Sequence, residues 1–345
     1  MLISMNGMNR RACLLLLLSC APLWAKFPTD FESPLTTIAF GSCNQHNLPQ
    51  PLWAVIDAQQ PDLWIWAGDN IYGDTEDMTI LKEKYDAQFN QPDYATFRKT
   101  TPVLGTWDDH DYGANDAGHW YPMKAESSVL ALDFYETPTD DPRRQHEGIY
   151  GSYVFGPEGK RVRVILIDDR YFAGQPKTPG SDLLGDAQWA WLQQELLASK
   201  AQINLIVTGI QFLSEQHLHE KWANYPPSRA GLLNFIRENQ IPGVVFLSGD
   251  RHLHEISIKS DAETIYPLID VTSSGLTHYW KNFPGEDNHY RSGPIYSGLA
   301  FGLIELDWDA QPATLTAKIV NQSGITENVL SLPIGALRDT SPSRK

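Results

Sequence analysis

Residues 62–74 read Asp-Leu-Trp-Ile-Trp-Ala-Gly-Asp-Asn-Ile-Tyr-Gly-Asp. After Asp62 the run to Ala67 is apolar throughout, as expected of a strand covered on both faces. Gly68 permits a tight turn, and the turn delivers Asp69 and, three residues on, Tyr72. The same order, an apolar run ending in chemistry-bearing residues, occurs four more times. Thr37–Phe40 runs into Gly41-Ser42-Cys43, and Val103–Trp107 into Asp108-Asp109-His110-Asp111. Arg161–Ile167 runs into Asp168-Asp169-Arg170, and Gly243–Ser248 into Gly249-Asp250-Arg251-His252-Leu253-His254-Glu255. Asn204–Thr208 is a further apolar run. An isolated acid after a strand is usually a turn former. That explains one or two such ends, not five carrying Cys, Asp, Tyr and His.

Amphipathic stretches separate these runs. Pro51–Gln59 starts with proline and stops before Pro61. Ala187–Ser199 places Trp189, Leu192 and Leu196 on one stripe, and Ser228–Asn239 has Ser228 as its expected cap. Strands alternating with helices predict βαβ units. From Leu299 the pattern changes: Leu299–Asp307, Ala313–Val320 and Val329–Leu332 predict an antiparallel meander. Residues 277–298 predict a long aromatic and polar loop, with Tyr279, Trp280, Phe283, His289, Tyr290 and Arg291. A loop of that length in a compact domain is more often functional than idle. In open α/β sheets the carboxyl ends of strands face one crevice, so the residues after the five strands are expected to converge.

The 345 residues are 42% hydrophobic and 11% aromatic, enough for a real core and too much for a disordered chain. At about 150 residues per domain, the length suggests two domains or one large α/β unit. Lys and Arg number 27 against 42 Asp and Glu, a net charge of −15. That balance argues against duplex nucleic acid, which needs a cationic face. It leaves anionic substrates open, because a bound metal reverses the sign of a site. Nothing beyond residue 25 approaches the roughly 18 apolar residues of a membrane span.

Residues 1–25 read as an export signal: Arg10 and Arg11 form a basic start, Ala12–Leu18 is apolar, and a cut after Ala25 is a fair peptidase site. Arg10-Arg11 is a weak twin-arginine pair, and Leu17-Leu18-Ser19-Cys20 resembles a lipobox, which would put a lipid anchor on Cys20. Cleavage removes Cys13 and Cys20 and leaves Cys43 alone. A single exported cysteine is either buried and inert, or a ligand or nucleophile.

Tyr72 is costly to ionise unless a strong Lewis acid sits beside it, and phenolate with the Asp69 carboxylate suits a hard trivalent ion such as Fe(III). Asp250 and His252 can reach one ion from adjacent turn positions. Asp108, Asp109, His110, Asp111, Asn115 and Asp116 crowd one short stretch with oxygen donors. That crowding needs cations or water to neutralise it, and Asn115 suits a hard divalent ion such as Ca(II). Arg170 offers a guanidinium fork that matches an oxyanion with two hydrogen bonds; its alternative is a salt bridge to Asp168 or Asp169. His110 fits a general acid or an orienting group. His217, His219, His278 and His289 show no ligand spacing to a named partner.

The ordered set GSC, GDNIYGD, WDDHDYGAND, IDDR, WANYPPSR and SGDRHLHE resembles the PhoD-like alkaline phosphatases of the metallophosphatase superfamily. The resemblance runs from about residue 36 to 335, which would leave residues 336–345 as a tail. It implies a four-layer α/β/β/α sandwich, Fe3+ and Ca2+ as cofactors, and hydrolysis of small phosphomonoesters or phosphodiesters by a metal-activated oxygen. It implies Cys43, Asp69, Tyr72, Asp250 and His252 as metal ligands, with Asn115 on the calcium side; Asp109, from the crowded acidic stretch, is a further expected metal ligand. Two departures stand out. Relatives often read WDDHE-x-x-N-N, which puts Asn115 one position later here. Many also carry a β-rich domain first, for which the ten or so residues after Ala25 leave no room. Two other readings stay open: a thiol hydrolase using Cys43, and an exported metal-binding module without turnover.

Overall fold

The alternation in residues 63–67 sets two faces. Leu63, Ile65 and Ala67 join one apolar cluster, and Trp64 and Trp66 join another. This strand therefore lies between two layers, as its apolar character requires. The computed structural model describes residues 27–338. The expected export segment, with Cys20, lies outside the described residues.

In chain order the strands are β1 (Thr37–Gly41), β2 (Leu63–Ala67), β3 (Val103–Thr106), β4 (Gly151–Phe155), β5 (Val162–Leu166), β6 (Ile203–Val207) and β7 (Val244–Ser248). They continue as β8 (His254–Lys259), β9 (Leu268–Ser273), β10 (Arg291–Tyr296), β11 (Ala300–Asp307), β12 (Thr314–Asn321) and β13 (Thr326–Pro333). The helices are α1 (Trp53–Asp57), α2 (Met78–Phe89), α3 (Pro92–Phe97), α4 (Asp109–Tyr112), α5 (Lys124–Phe134), α6 (Gly185–Ala198) and α7 (Pro226–Glu238).

Two mixed sheets result. One has the order β13-β12-β11-β1-β2-β3, the other β10-β8-β9-β7-β6-β5-β4. β1, β2 and β3 run parallel, as do β5, β6, β7 and β9. The expected meander is β11-β12-β13, paired antiparallel onto β1. Ile38, Phe40, Ile65 and Leu104 of the first sheet share a core with Val164, Ile206, Phe246 and Val271 of the second. Trp53, Leu81, Tyr94 and Phe134, from α1, α2, α3 and α5, cover the outer face of the first sheet with Trp64 and Trp66. Leu192, Leu196, Leu232 and Ile236, from α6 and α7, pack with the second. The layers are thus α/β/β/α. Ser42 and Ser274, after β1 and β9, form a parallel bridge that joins the strand ends of the two sheets.

Three expectations change. Residues 277–298 are not all loop, because β10 pairs antiparallel with β8 and leaves a shorter excursion before Arg291. Ser228 does not cap α7, which begins at Pro226. Its hydroxyl instead accepts the Leu183 N–H at 2.9 Å and donates to Asp182 at 2.6 Å. Ordered packing also passes residue 335: Leu337 is buried, and its carbonyl accepts the Gly243 N–H at 2.7 Å. Among the described residues, no helix is long and apolar enough to cross a membrane.

Candidate metal centre

The parallel strands of both sheets end at one pocket of about 700 Å³, lined by Asp69, Asp109, His110, Asn115, Asp116, Glu220, Asp250 and His252 among others. The turns there are tight. A Cβ on Gly68 would sit 2.5 Å from the Asp108 Cβ, and one on Gly249 would sit 2.5 Å from the Ala67 carbonyl oxygen. Cys43 (φ 57), Asp69 (φ 50), Asp250 (φ 67) and His252 (φ 53) all adopt left-handed backbone. Each such position costs about 1–3 kcal/mol and persists where the surroundings over-determine it, typically at functional sites.

Asp69 is the hub. Its Oδ2 lies 3.3 Å from the Cys43 Sγ and 3.3 Å from the Tyr72 hydroxyl, both of which donate to it. The Tyr72 oxygen is also 3.0 Å from His252 Nε2. Donor atoms of Cys43, Asp69 and His252 all lie within 4.8 Å of one another. A second such group is Asp69, Asp109 and His110, and a third is Asp109, Asp116 and Glu220. Asp69 and Asp109 therefore link three groups into a chain. Asp250 lines the same pocket without joining any of them, and Asn115 is exposed there next to Asp116.

The electrostatics call for cations. Burial pushes the Cys43 thiol up to about 12, and the Asp250 charge adds to this against hydrogen bonds from Ser274 and Ser42. Burial lifts Asp69 well above the carboxylate range, with Cys43 and Asp109 adding repulsion, and it lifts Tyr72 in the same way. Asp250 is raised to about 7 and Glu220 to about 8, again chiefly by burial. For Asp109 burial is outweighed by Arg170 and His110, which hold it below the usual value. Asp69 Oδ1 is buried with no hydrogen-bond partner. A thiol, a phenol, carboxylates and an imidazole around that orphaned oxygen make a donor set that fits hard and borderline cations.

The remaining acids have other work. Asp111 accepts the Asp108 N–H at 2.6 Å and the Asn70 N–H at 3.1 Å, which ties the β3 turn to the β2 turn. Asp168 accepts N–H groups from Trp107, Ile149, Arg170 and Tyr171.

Arg170 does not face the pocket and needs correcting as a phosphate-binding candidate. It is 1% exposed, with its Nε 2.5 Å from Asp108 Oδ1 and its Nη1 2.7 Å from Glu220 Oε2. Its salt-bridge alternative holds for Asp169, whose Oδ1 is 3.9 Å from the Arg170 Nε, but that is a long pair beside those to Asp108 and Glu220, and Asp168 takes only the backbone N–H. A guanidinium held by two buried carboxylates has no free fork for a phosphate.

The sequence leaves His278 unassigned and gives no signal for Glu220 itself. Glu220 lies in the excursion after β6. His278 follows β9, with its Nε2 2.9 Å from the Tyr72 hydroxyl. His254 is buried away from the donors, with its Nε2 3.1 Å from the Gly298 carbonyl.

The model of the PhoD-like phosphatase family matches residues 38–271, more than half of the chain. The chain belongs to the PhoD-like phosphatases. Alkaline phosphatase D of Bacillus subtilis is 25% identical over 206 residues. That match takes in 51% of this chain and 34% of the relative, so the chain spans about a third of that protein's length. The solved structure of PhoD superposes with a TM-score of 0.69 at 17% identity, covering 92% of this chain and 74% of the other. Yellow lupin purple acid phosphatase PPD1 gives 0.62 at 12% identity, over 92% and 58%. A dimetal phosphatase from Danio rerio gives 0.56 at 13% identity, over 89% and 100%. These likenesses establish the two-sheet metallophosphatase fold.

Proposed function

We propose that this chain is an exported, metal-dependent hydrolase of small phosphoric esters, monoesters or diesters. The observation that carries the reading is that Cys43 and Tyr72 each lie 3.3 Å from Asp69 Oδ2, while Oδ1 of the same buried carboxylate has no partner. Cys43, Asp69, Tyr72 and His252 would hold Fe3+, and Asp109, Asn115 and Asp250 would hold Ca2+, with Asp116 and Glu220 close by. Such ions neutralise phosphoryl oxygens and lower the pKa of a bound water. The remaining work belongs to the chain. The strained turns fix the donors in advance, so little reorganisation is needed at the moment of reaction. Arg170 offsets the charge of Asp108 and Glu220 beneath the pocket. Lys177, His219, Tyr279, Trp280 and Lys281 line its outer part, where they would meet the leaving group. Export is supported by the basic start and apolar run of residues 1–25.

His110 is the proposed general acid. Its Nδ1 is 2.7 Å from Asp74 Oδ1, its ring packs 4.2 Å from that of Tyr72, and it lines the pocket. Asp74 thus fixes one nitrogen and leaves Nε2 to pass a proton to the departing alkoxide. His110→Asn is expected to lower kcat on an alkyl phosphate by about 10²–10⁴-fold and to affect p-nitrophenyl phosphate far less, since p-nitrophenolate leaves unaided. Equal losses on both esters would assign His110 to positioning instead.

A thiol nucleophile needs a lowered pKa, whereas burial sends Cys43 the other way. Alkylation of the metal-loaded protein separates the readings: a nucleophile is blocked quickly, a ligated thiolate is protected. The direct test of the function is hydrolysis of p-nitrophenyl phosphate and bis-p-nitrophenyl phosphate with and without Ca2+. No turnover of either ester would leave a metal-binding module.

A further inference from the structure

Two imidazoles face one phenol oxygen. The Tyr72 hydroxyl is 3.0 Å from His252 Nε2 and 2.9 Å from His278 Nε2, with the two rings 4.5 Å apart and nearly perpendicular. A neutral phenol has one proton to donate, and a phenolate has none. If Tyr72 ligates as a phenolate, an imidazole beside it either shares its cation or presents an N–H to it, because a bare nitrogen against a phenolate is otherwise repulsive.

The neighbours decide which one. His278 Nδ1 lies 3.0 Å from Thr277 Oγ1. That hydroxyl already accepts the Gln45 N–H at 2.7 Å, so its single proton has two acceptors to choose between: His278 Nδ1, and the Cys43 carbonyl at 3.3 Å. The Cys43 carbonyl also receives the backbone N–H of Thr277 at 3.4 Å. Given to Nδ1 rather than to the carbonyl, that proton makes Nδ1 an acceptor and puts the ring hydrogen on Nε2, the tautomer that a Tyr72 phenolate needs. His252 comes from the turn that supplies Asp250, and its ring belongs to the donor group with Cys43 and Asp69. The two histidines therefore differ in role: one offers a lone pair, the other a hydrogen.

We propose that His278 is a positioning residue, whose Nε2–H, set by Thr277, donates to the Tyr72 phenolate oxygen and holds it in the ligand set beside His252. The proposal rests on the reading of Tyr72 and His252 as iron ligands. Thr277 would serve both anionic ligands at once, with its backbone N–H on the Cys43 carbonyl and its hydroxyl on the imidazole that supports Tyr72. Groups of this kind orient a ligand and tune its donor strength, and losing one typically lowers metal affinity about 10–100-fold.

The test uses the full chain loaded with iron and reads the visible phenolate-to-iron absorption band and the rate of iron loss to a chelator. In His278→Ala the band is expected to move to longer wavelength, because a phenolate without its hydrogen bond holds its electrons at higher energy. Iron loss should be about 10–100-fold faster. His278→Gln keeps an N–H near the position of Nε2 and should stay close to the parent in both readouts. Thr277→Val should shift the band in the direction of His278→Ala. A His278→Ala protein with unchanged band and unchanged iron release overturns the proposal. So does a His278→Gln protein that loses iron as completely as His278→Ala, since His278 would then be a ligand itself. A parent protein that binds iron without this band removes Tyr72 from the ligand set, and that result is distinct from either failure at His278.

Discussion

Asp69→Asn is expected to lose metal and hydrolysis together, with kcat/KM down by at least about 10³-fold. The size follows from the several kcal/mol of charge stabilisation that bound cations give a phosphoryl transition state, at about 1.4 kcal/mol per factor of ten. Asp69 Oδ2 is the common acceptor for Cys43 and Tyr72, and Oδ1 is the orphaned atom. Asparagine keeps the shape but turns one oxygen into an N–H donor, which repels a cation. It also tolerates the left-handed backbone at this position (φ 50) better than most residues, so the chain should still fold. Metal per chain by elemental analysis and turnover should fall in parallel. Full turnover in this variant would refute the role of Asp69.

Arg170→Met is the second large effect, and it concerns stability. Removing one partner of a buried ion pair typically costs about 3–5 kcal/mol, because the other charge stays buried and uncompensated. Here Asp108 and Glu220 would both be left, with Asp169 nearby. Urea unfolding should show the loss, while KM for p-nitrophenyl phosphate in the folded fraction should hardly change. A raised KM with stability intact would restore the phosphate-binding role.

The Arg170 misreading shows where a sequence stops informing. Asp168 and Asp169 are its chain neighbours, but its main partner, Asp108, is 62 residues away. Pairing across two sheets leaves no local trace. By contrast β1, β2, β3, β5, β6 and β7 were legible, because strands buried on both faces are apolar runs bounded by turn formers. β9 was not. Its sequence, Leu-Ile-Asp-Val-Thr-Ser, carries a buried acid that Ser248 and the backbone N–H groups of Phe212 and Leu213 satisfy. The rule that looks for chemistry after each strand would have reached Ser274 and His278 had β9 been recognised. Applied past β6, the same rule leads into the excursion that carries Glu220. Helices α2 and α5 escaped notice because they bury only part of their surface and keep polar residues among the apolar ones.

The thiol, phenol, imidazole and acids at these strand ends are proposed as one cage for cations that drive ester hydrolysis. The most direct measurement is elemental analysis of the purified protein, with bis-p-nitrophenyl phosphate hydrolysis followed before chelation, after it, and after returning Fe3+ and Ca2+. Bound iron and calcium, loss of turnover as the ions leave, and recovery when both return are the expected results. A protein stripped of metal that hydrolyses the ester at the original rate would contradict that reading.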